Sequence, residues 1–238
     1  MSLSNKRIVI IGGSSGIGLA TARLASQVGA QVVIASRNPQ KLENAKVEVG
    51  GDTEAYPLDV RDEAQVQEFF ERIGPFDHLT TPGSTLQGGP FLTGDSTSAR
   101  ADFDSKFWGQ YLAVKYGAPK LREGGSMVLF SGIYSHRPTI GASSIAAANG
   151  AIESLGRAIA VELSPLRVNV IAPGLIDTPI YDTLPPEQHT AIFVQAIESL
   201  PAKRAGQAED IAQAVLCLMD NPFATGTILF VDGGATLR

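Results

Sequence analysis

Cysteine is nearly absent from this chain: Cys217 is the only one in 238 residues. That excludes a disulfide framework and a cysteine-built metal site. Histidine is scarce as well. His78, His136 and His189 stand far apart, without the spacing that would bring two onto one helix face, so no metal is expected. No apolar run is long enough to span a bilayer. The opening residues MSLSNKR lack the apolar core of a secretion signal. Positive charge is not in excess. The formal net charge of -5 gives no reason to expect nucleic acid as a partner. Tandem repeats, low-complexity tracts and linker-like stretches are missing too. These absences describe a soluble, cytoplasmic protein without membrane or nucleic acid partners. Length alone admits one domain or two. With no linker in sight, a single domain over 1–238 is expected, and the 44% hydrophobic content supports a large core.

What is present is organised around RIVIIGGSSGIG, residues 7–18. Ile8, Val9, Ile10 and Ile11 form an unbroken β-branched run, as in a strand buried on both faces of a parallel sheet. A turn follows, running from Gly12 through Ser14, Ser15, Gly16 and Ile17 to Gly18. Beyond it, Leu19, Ala22, Leu24, Ala25 and Val28 recur at helical spacing. Strand, glycine-rich turn and helix in that order make a phosphate cradle. Without Cβ atoms the backbone turns tightly and approaches a pyrophosphate, and the helix N-terminus offers free N–H groups and positive dipole charge.

The glycine spacing is G-x-x-x-G-x-G, carried by Gly12, Gly16 and Gly18. With its flanking strand and helix it resembles the short-chain dehydrogenase/reductase family, and the resemblance extends over nearly the whole chain. Strand-like and helix-like stretches alternate throughout, which predicts an α/β fold with a doubly wound, Rossmann-like parallel sheet and helices on both faces. The resemblance implies seven strands in the order 3-2-1-4-5-6-7.

The second strand, QVVIAS, ends at Ser36 and is followed by Arg37. In dinucleotide-binding folds the adenosine ribose lies at this strand end, where an acidic residue favours NAD. Here a guanidinium stands in that place, which favours a 2′-phosphate and so NADP(H). Asn38, Lys41 and Ser14 offer further donors. Asp59 and Val60 end the third strand, TEAYPLDV. The resemblance gives such a pair the adenine, while Asp59 is equally suited to cap the helix after it. Near the fourth strand, Thr81-Pro82-Gly83-Ser84 occupies the place of the family's Asn-Asn-Ala-Gly, or, with a shift of one residue, Gly83 takes the family's glycine. A long helix over 98–121 carries an aromatic stripe that includes Phe103, Phe107, Trp108 and Tyr111. The stripe suits packing, and its exposed part suits a subunit surface, so a homodimer or homotetramer is expected. Pro173 and Gly174 end the sixth strand, beside the nicotinamide in the resembled family. Thr178 matches a position that holds the carboxamide or a phosphate. Residues 181–204 break the strand–helix rhythm and read as a substrate lid with a short helix.

The chemistry departs from the resemblance. The family's catalyst is a tyrosine, with a lysine one helical turn later, a serine after the fifth strand and an asparagine on the long helix. Aligned on NGAIESLGRAIAVEL and RVNVIAPG, the tyrosine position falls on Ile145 and the lysine position on Asn149. The serine position falls on Gly132, with Ser131 adjacent, and the asparagine position on Lys106. Asn and Lys thus stand exchanged about a shared pocket. Lys106 entering the volume left by Asn149 would bond the ribose or polarise a carbonyl, with its pKa lowered by partial burial. Tyr134 and His136 are the nearest other proton donors. The expected function is an NADP(H)-dependent oxidoreductase of a carbonyl or alcohol substrate with altered acid–base residues Lys106, Ser131, Asn149 and Tyr134. A catalytically silent NADPH-binding sensor or regulatory protein is the other reading. A purely structural subunit would need neither the cradle nor Arg37. Turnover of the family's general carbonyl substrates is expected to be low.

Overall fold

The computed structural model describes residues 3–182 and 185–237. Its strands are β1 (Arg7–Ile11), β2 (Gln31–Ser36), β3 (Glu54–Pro57), β4 (Phe76–Thr80), β5 (Leu121–Phe130), β6 (Arg167–Pro173), the two-residue β7 (Ile176–Asp177) and β8 (Gly206–Gln207), and β9 (Ile228–Val231). Seven of them form one parallel sheet in the order β3-β2-β1-β4-β5-β6-β9, while β7 pairs with β8 apart from it. The sequence order reverses between β1 and β4, and a crevice opens beyond the carboxyl ends of those strands. That is the position where open α/β sheets bind their ligands.

The helices are α1 (Gly16–Gln27), α2 (Pro39–Val49), α3 (Glu63–Ile73), α4 (Ser96–Phe103), α5 (Gly109–Gly117), α6 (Ser143–Glu162), α7 (Pro186–Ser199) and α8 (Ala208–Asp220). They bury the sheet on both faces, and β1 shows how. Ile8 and Ile10 join Ala22 and Ala25 of α1 and Val215 of α8 in one core. Val9 and Ile11 join Phe69 and Phe70 of α3, Leu112 of α5 and Ile152 of α6 in the other. Alternate side chains of a strand point to opposite faces, so only an unbroken apolar run serves both cores. No helix of the described residues is long and apolar enough to cross a membrane.

Local chemistry sets the helix starts. Asn38 caps α2, its Oδ1 accepting from Lys41 N at 3.0 Å, with Pro39 in the first turn. The cap of α3 is Asp62, whose Oδ1 accepts from Gln65 N at 3.1 Å; it is not Asp59. Asp59 instead spends its carboxylate on Arg61 at 2.5 Å. The third strand is shorter than the stretch TEAYPLDV, ending at Pro57.

The long helix expected over 98–121 is two helices joined by a π turn at Asp104–Trp108, and Leu121 already belongs to β5. The wide turn changes the helix phase. Asp102, Lys106 and Gln110 are consequently all buried, whereas Trp108 and Tyr111 are 47% and 38% exposed. Ile152 of α6 faces the core and contributes nothing to an outer surface. Within 181–204, Thr183 and Leu184 lie outside the described residues; the helix there, α7, runs for 14 residues.

Candidate active site and cofactor cleft

The crevice is a cleft with two lobes of about 600 Å³ and 550 Å³, joined along Gly12, Ser15 and Gly83. The glycine turn at the junction leaves no room for side chains. A Cβ at Gly18 would stand 2.0 Å from the Gly12 carbonyl oxygen, and Gly12 itself has φ +94. Gly83 is the residue of the β4 turn that crosses it, since a Cβ there would stand 2.7 Å from Gly12 Cα. Backbone therefore lies on backbone. The first turn of α1, with Gly16 and Ile17, opens directly onto the cleft.

The outer lobe lies at the end of β2. It is lined by Ser14 and Ser15 from the glycine turn and by Arg37, Asn38 and Lys41 beyond Ser36. Arg37 donates from Nη2 to Thr85 Oγ1 at 2.6 Å, which holds the guanidinium across the lobe. Asp59, Val60 and Arg61 form the opposite wall. Hydrogen bonding from Arg61 holds the Asp59 carboxyl below its usual range. Val60 meets α5 where a side chain at Gly109 would collide with it, a Cβ there lying 2.7 Å from Val60 Cγ2.

The inner lobe gathers Lys106, Ser131, Gly132, Tyr134, Ile145 and Asn149 from four separate elements. The π turn carries Lys106 inward, and its ammonium donates to the Ser131 carbonyl oxygen at 2.9 Å. Burial alone lowers its pKa from the ordinary lysine value to about 8. The Ser131 hydroxyl lies 3.4 Å from the Ile171 carbonyl, so the backbone of Ser131 is what holds the ammonium. Asn149 is 1% exposed on α6. Pro173, Gly174 and Thr178 border the lobe from the end of β6 and the segment after it. Thr178 also packs against the cradle, its Cβ at 3.4 Å from where a Cβ of Gly16 would be.

His136 takes no part in the lobe. Its Nε2 lies 2.8 Å from Oε2 of the buried Glu153, whose Oε1 accepts from the Ser135 hydroxyl at 2.6 Å. It is thus neither a proton donor to the cleft nor a lone solvated ring.

Two buried side-chain atoms have no hydrogen-bond partner among the described residues: Ser36 Oγ and Asn149 Oδ1. One lines the outer lobe and the other the inner. An unpaired buried polar atom is costly, and a dinucleotide laid along the cleft would bring ribose hydroxyls to both ends. With the backbone-on-backbone cradle between them, the residues present fit a nicotinamide dinucleotide.

Several site residues escape a reading of the sequence. Gln110 accepts from Thr81 Oγ1 and Phe130 N and donates to the carbonyls of Lys106 and Phe130, tying β4, β5 and the π turn together. Asp102 accepts from Gln87 N, Gly88 N and Ser144 Oγ, which fixes the 82–90 loop to α6. Tyr181 lines the inner lobe, packs edge-on against Phe193 of α7, and has its pKa pushed up to about 12 by burial. A polar row at spacing four, Asp102–Lys106–Gln110, was the available signal, but such a row ordinarily marks a solvated face.

The chain is similar to known proteins over nearly its whole length. The family described as Enoyl-(Acyl carrier protein) reductase matches residues 12–236. A 3-oxoacyl-[acyl-carrier-protein] reductase of Mus musculus is 32% identical over 98% of this chain and 99% of its own length. Carbonyl reductase family member 4 of Danio rerio is 30% identical over 96% of this chain and 97% of its own. A crystal structure of a small-chain dehydrogenase in complex with NADPH superposes with a TM-score of 0.88 at 38% identity, covering 99% of this chain and 100% of that one.

Proposed function

The chain belongs to the short-chain dehydrogenase/reductase family, and on that premise we propose that it is an NADPH-dependent oxidoreductase that reduces a carbonyl group with Lys106 as the proton donor. The observation that carries this reading is the buried Lys106 ammonium in the inner lobe, with one N–H on the Ser131 carbonyl. An ammonium has three N–H donors, so two remain for a ligand.

The nicotinamide supplies the hydride when bound. This chain's residues do the rest. The turn from Gly12 to Gly18 and the N-terminus of α1 hold the pyrophosphate. Arg37, with Ser14, Asn38 and Lys41, takes the 2′-phosphate, and Asp59 and Val60 border the adenine. Asn149 accepts a ribose hydroxyl at Oδ1. Pro173, Gly174 and Thr178 border the nicotinamide and its carboxamide. Lys106 holds the substrate oxygen, gives it a proton as negative charge develops there, and is reprotonated from solvent, so that carbonyl, hydride and proton become alcohol. A lysine near pKa 8 is acid enough to give the proton and basic enough to recover it close to neutral pH. Ser131 and Tyr134 line the substrate side, and residues 181–204 form the lid of a single 1–238 domain. The exposed aromatic face at Trp108 and Tyr111 is the proposed contact of a homodimer or homotetramer, and the proposed setting is the cytoplasm.

Calorimetry with both cofactors, followed by NADPH oxidation against a panel of ketones and aldehydes, tests the reading. NADPH is expected to bind tighter than NADH by about tenfold or more, with slow turnover. Tight NADPH binding without turnover on any carbonyl would favour the silent sensor, which Ile145 in the tyrosine position motivates. Equal affinities for the two cofactors would contradict both.

A further inference from the structure

We propose that the reacting ketone of the substrate stands beside a carboxylate, as in a 2-oxo acid, so that the carbonyl oxygen and one carboxylate oxygen lie side by side and hydride plus one proton give the 2-hydroxy acid. This rests on the reading of the cleft as an NADPH-dependent reductase site and adds the charge of the substrate to it.

The argument starts from an uncompensated buried cation. Lys106 is 5% exposed, and its hydrogen bond in the structure goes to a neutral carbonyl. Burial is the cause of its lowered pKa; no carboxylate offsets it. The acids on the surrounding elements are engaged elsewhere or face outward. Asp102 of α4 serves the 82–90 loop and Ser144, and Glu153 of α6 serves Ser135 and His136. Asp59 is bound to Arg61, and Asp104, in the same π turn as Lys106, is exposed. The ionisable groups that share the inner lobe with Lys106 are the phenols Tyr134 and Tyr181 and, at the junction, the cation Lys41. Tyr181 stays neutral, since burial raises its pKa.

The rest of the substrate side is apolar: Leu86, Ile133, Ile145, Leu175 and Ile180. A neutral ketone entering here would displace water from the ammonium and leave its charge unpaired, which is expensive in such surroundings. The groups that would hold the cofactor's phosphates, the glycine turn and Arg37, are separate from the Ser131 carbonyl that the ammonium touches. An anionic substrate brings the missing counter-charge itself. Two N–H donors remain on Lys106, which suits two oxygens side by side better than one. Ile145 then offers an apolar wall to the substrate body, where a tyrosine would have competed for the same oxygen.

The test is calorimetry on the protein saturated with NADP⁺, so that no reduction occurs. The probes differ in charge: benzoylformate against its methyl ester. The anion is expected to bind about tenfold tighter or more near pH 7. Benzoylformate keeps its charge when the pH is raised, so the preference is expected to shrink by about pH 9.5 as Lys106 loses its proton, and to vanish in Lys106→Met. No preference for the anion, or a preference that survives both the pH change and Lys106→Met, overturns the proposal. The pH comparison needs no variant. NADP⁺ affinity, measured in the same experiment, keeps the two claims apart: its loss would sink the reductase reading, whereas intact NADP⁺ binding without anion preference sinks only this inference.

Discussion

Gly132 leaves the space that the Asn149 amide occupies: a Cβ built at Gly132 would stand 3.0 Å from Asn149 Nδ2. The missing hydroxymethyl group after β5 and the short amide on α6 are therefore one arrangement, with Lys106 reaching the same lobe from the opposite helix. Positions 106 and 149 should behave as a coupled pair. Asn149→Lys alone would bring a second ammonium into the lobe and is expected to weaken both folding and NADPH binding. Joined to Lys106→Asn, it should recover part of both losses, with a coupling energy of about 1 kcal/mol or more. Melting temperatures and calorimetric affinities of the four proteins check this; additive effects would show that the two positions act independently.

Arg37 sets the cofactor preference in this account. Arg37→Asp removes a charge-assisted partner of the 2′-phosphate and puts an acceptor for a ribose hydroxyl in its place. The NADPH preference should fall by about ten- to a hundredfold, corresponding to roughly 1.5–3 kcal/mol. Calorimetry with both cofactors decides it, and an unchanged ratio would remove Arg37 from the site.

Lys106 should cost the empty protein stability. Its folded pKa of about 8 lies below the ordinary lysine value. Between the two, the unfolded chain holds a proton that the folded one has released, so stability rises with pH across that interval. Below it both states are protonated and the whole cost is present. Lys106→Met without cofactor is expected to be more stable than the unmodified protein near pH 7, by up to about 3 kcal/mol, with the gap closing toward about pH 10. Urea unfolding at both pH values measures it. A variant that is no more stable near pH 7 would mean the ammonium is well paired in the empty cleft.

His78 makes the opposite end of the sheet acid-sensitive. It is buried beside Ser126, its Nδ1 lying 2.9 Å from Oγ, and burial lowers its pKa to about 4. The unfolded chain therefore gains a proton first as pH falls. Stability should drop from about pH 6.5 downward, by up to roughly 3 kcal/mol at pH 4. His78→Gln should flatten that part of the profile, and an unchanged profile would assign the acid sensitivity elsewhere.

The fold was legible because its signals are local. The β-branched run of β1 and the glycine turn after it state their conformation within a dozen residues, and Arg37 follows directly from the end of β2. The inner lobe was legible only by resemblance, since Lys106, Gly132, Ile145 and Asn149 come from distant parts of the chain. The segment 96–117 was the hardest to read. Aromatic and polar rows both recur there at spacing four, and ordinary amphipathicity turns the aromatic row inward. The π turn helps to do the reverse: Asp102, Lys106 and Gln110 are buried, each finding partners on other elements, while Trp108 and Tyr111 are left outside. Those partners lie on loops and strands that no local pattern connects to the helix. The role of Asp59, cap or adenine neighbour, is left open by the sequence for a simpler reason. Two aspartates stand three residues apart before α3, and only the geometry shows that Asp62 caps while Asp59 pairs with Arg61.

The central claim is that Lys106 handles the proton of the reduction, and the kcat of Lys106→Met with saturating NADPH and a carbonyl substrate tests it most directly. The account predicts a loss of about a hundredfold or more near pH 7, the usual contribution of a positioned acid, in a protein that still folds and still binds NADPH. An unchanged kcat in that variant would contradict it.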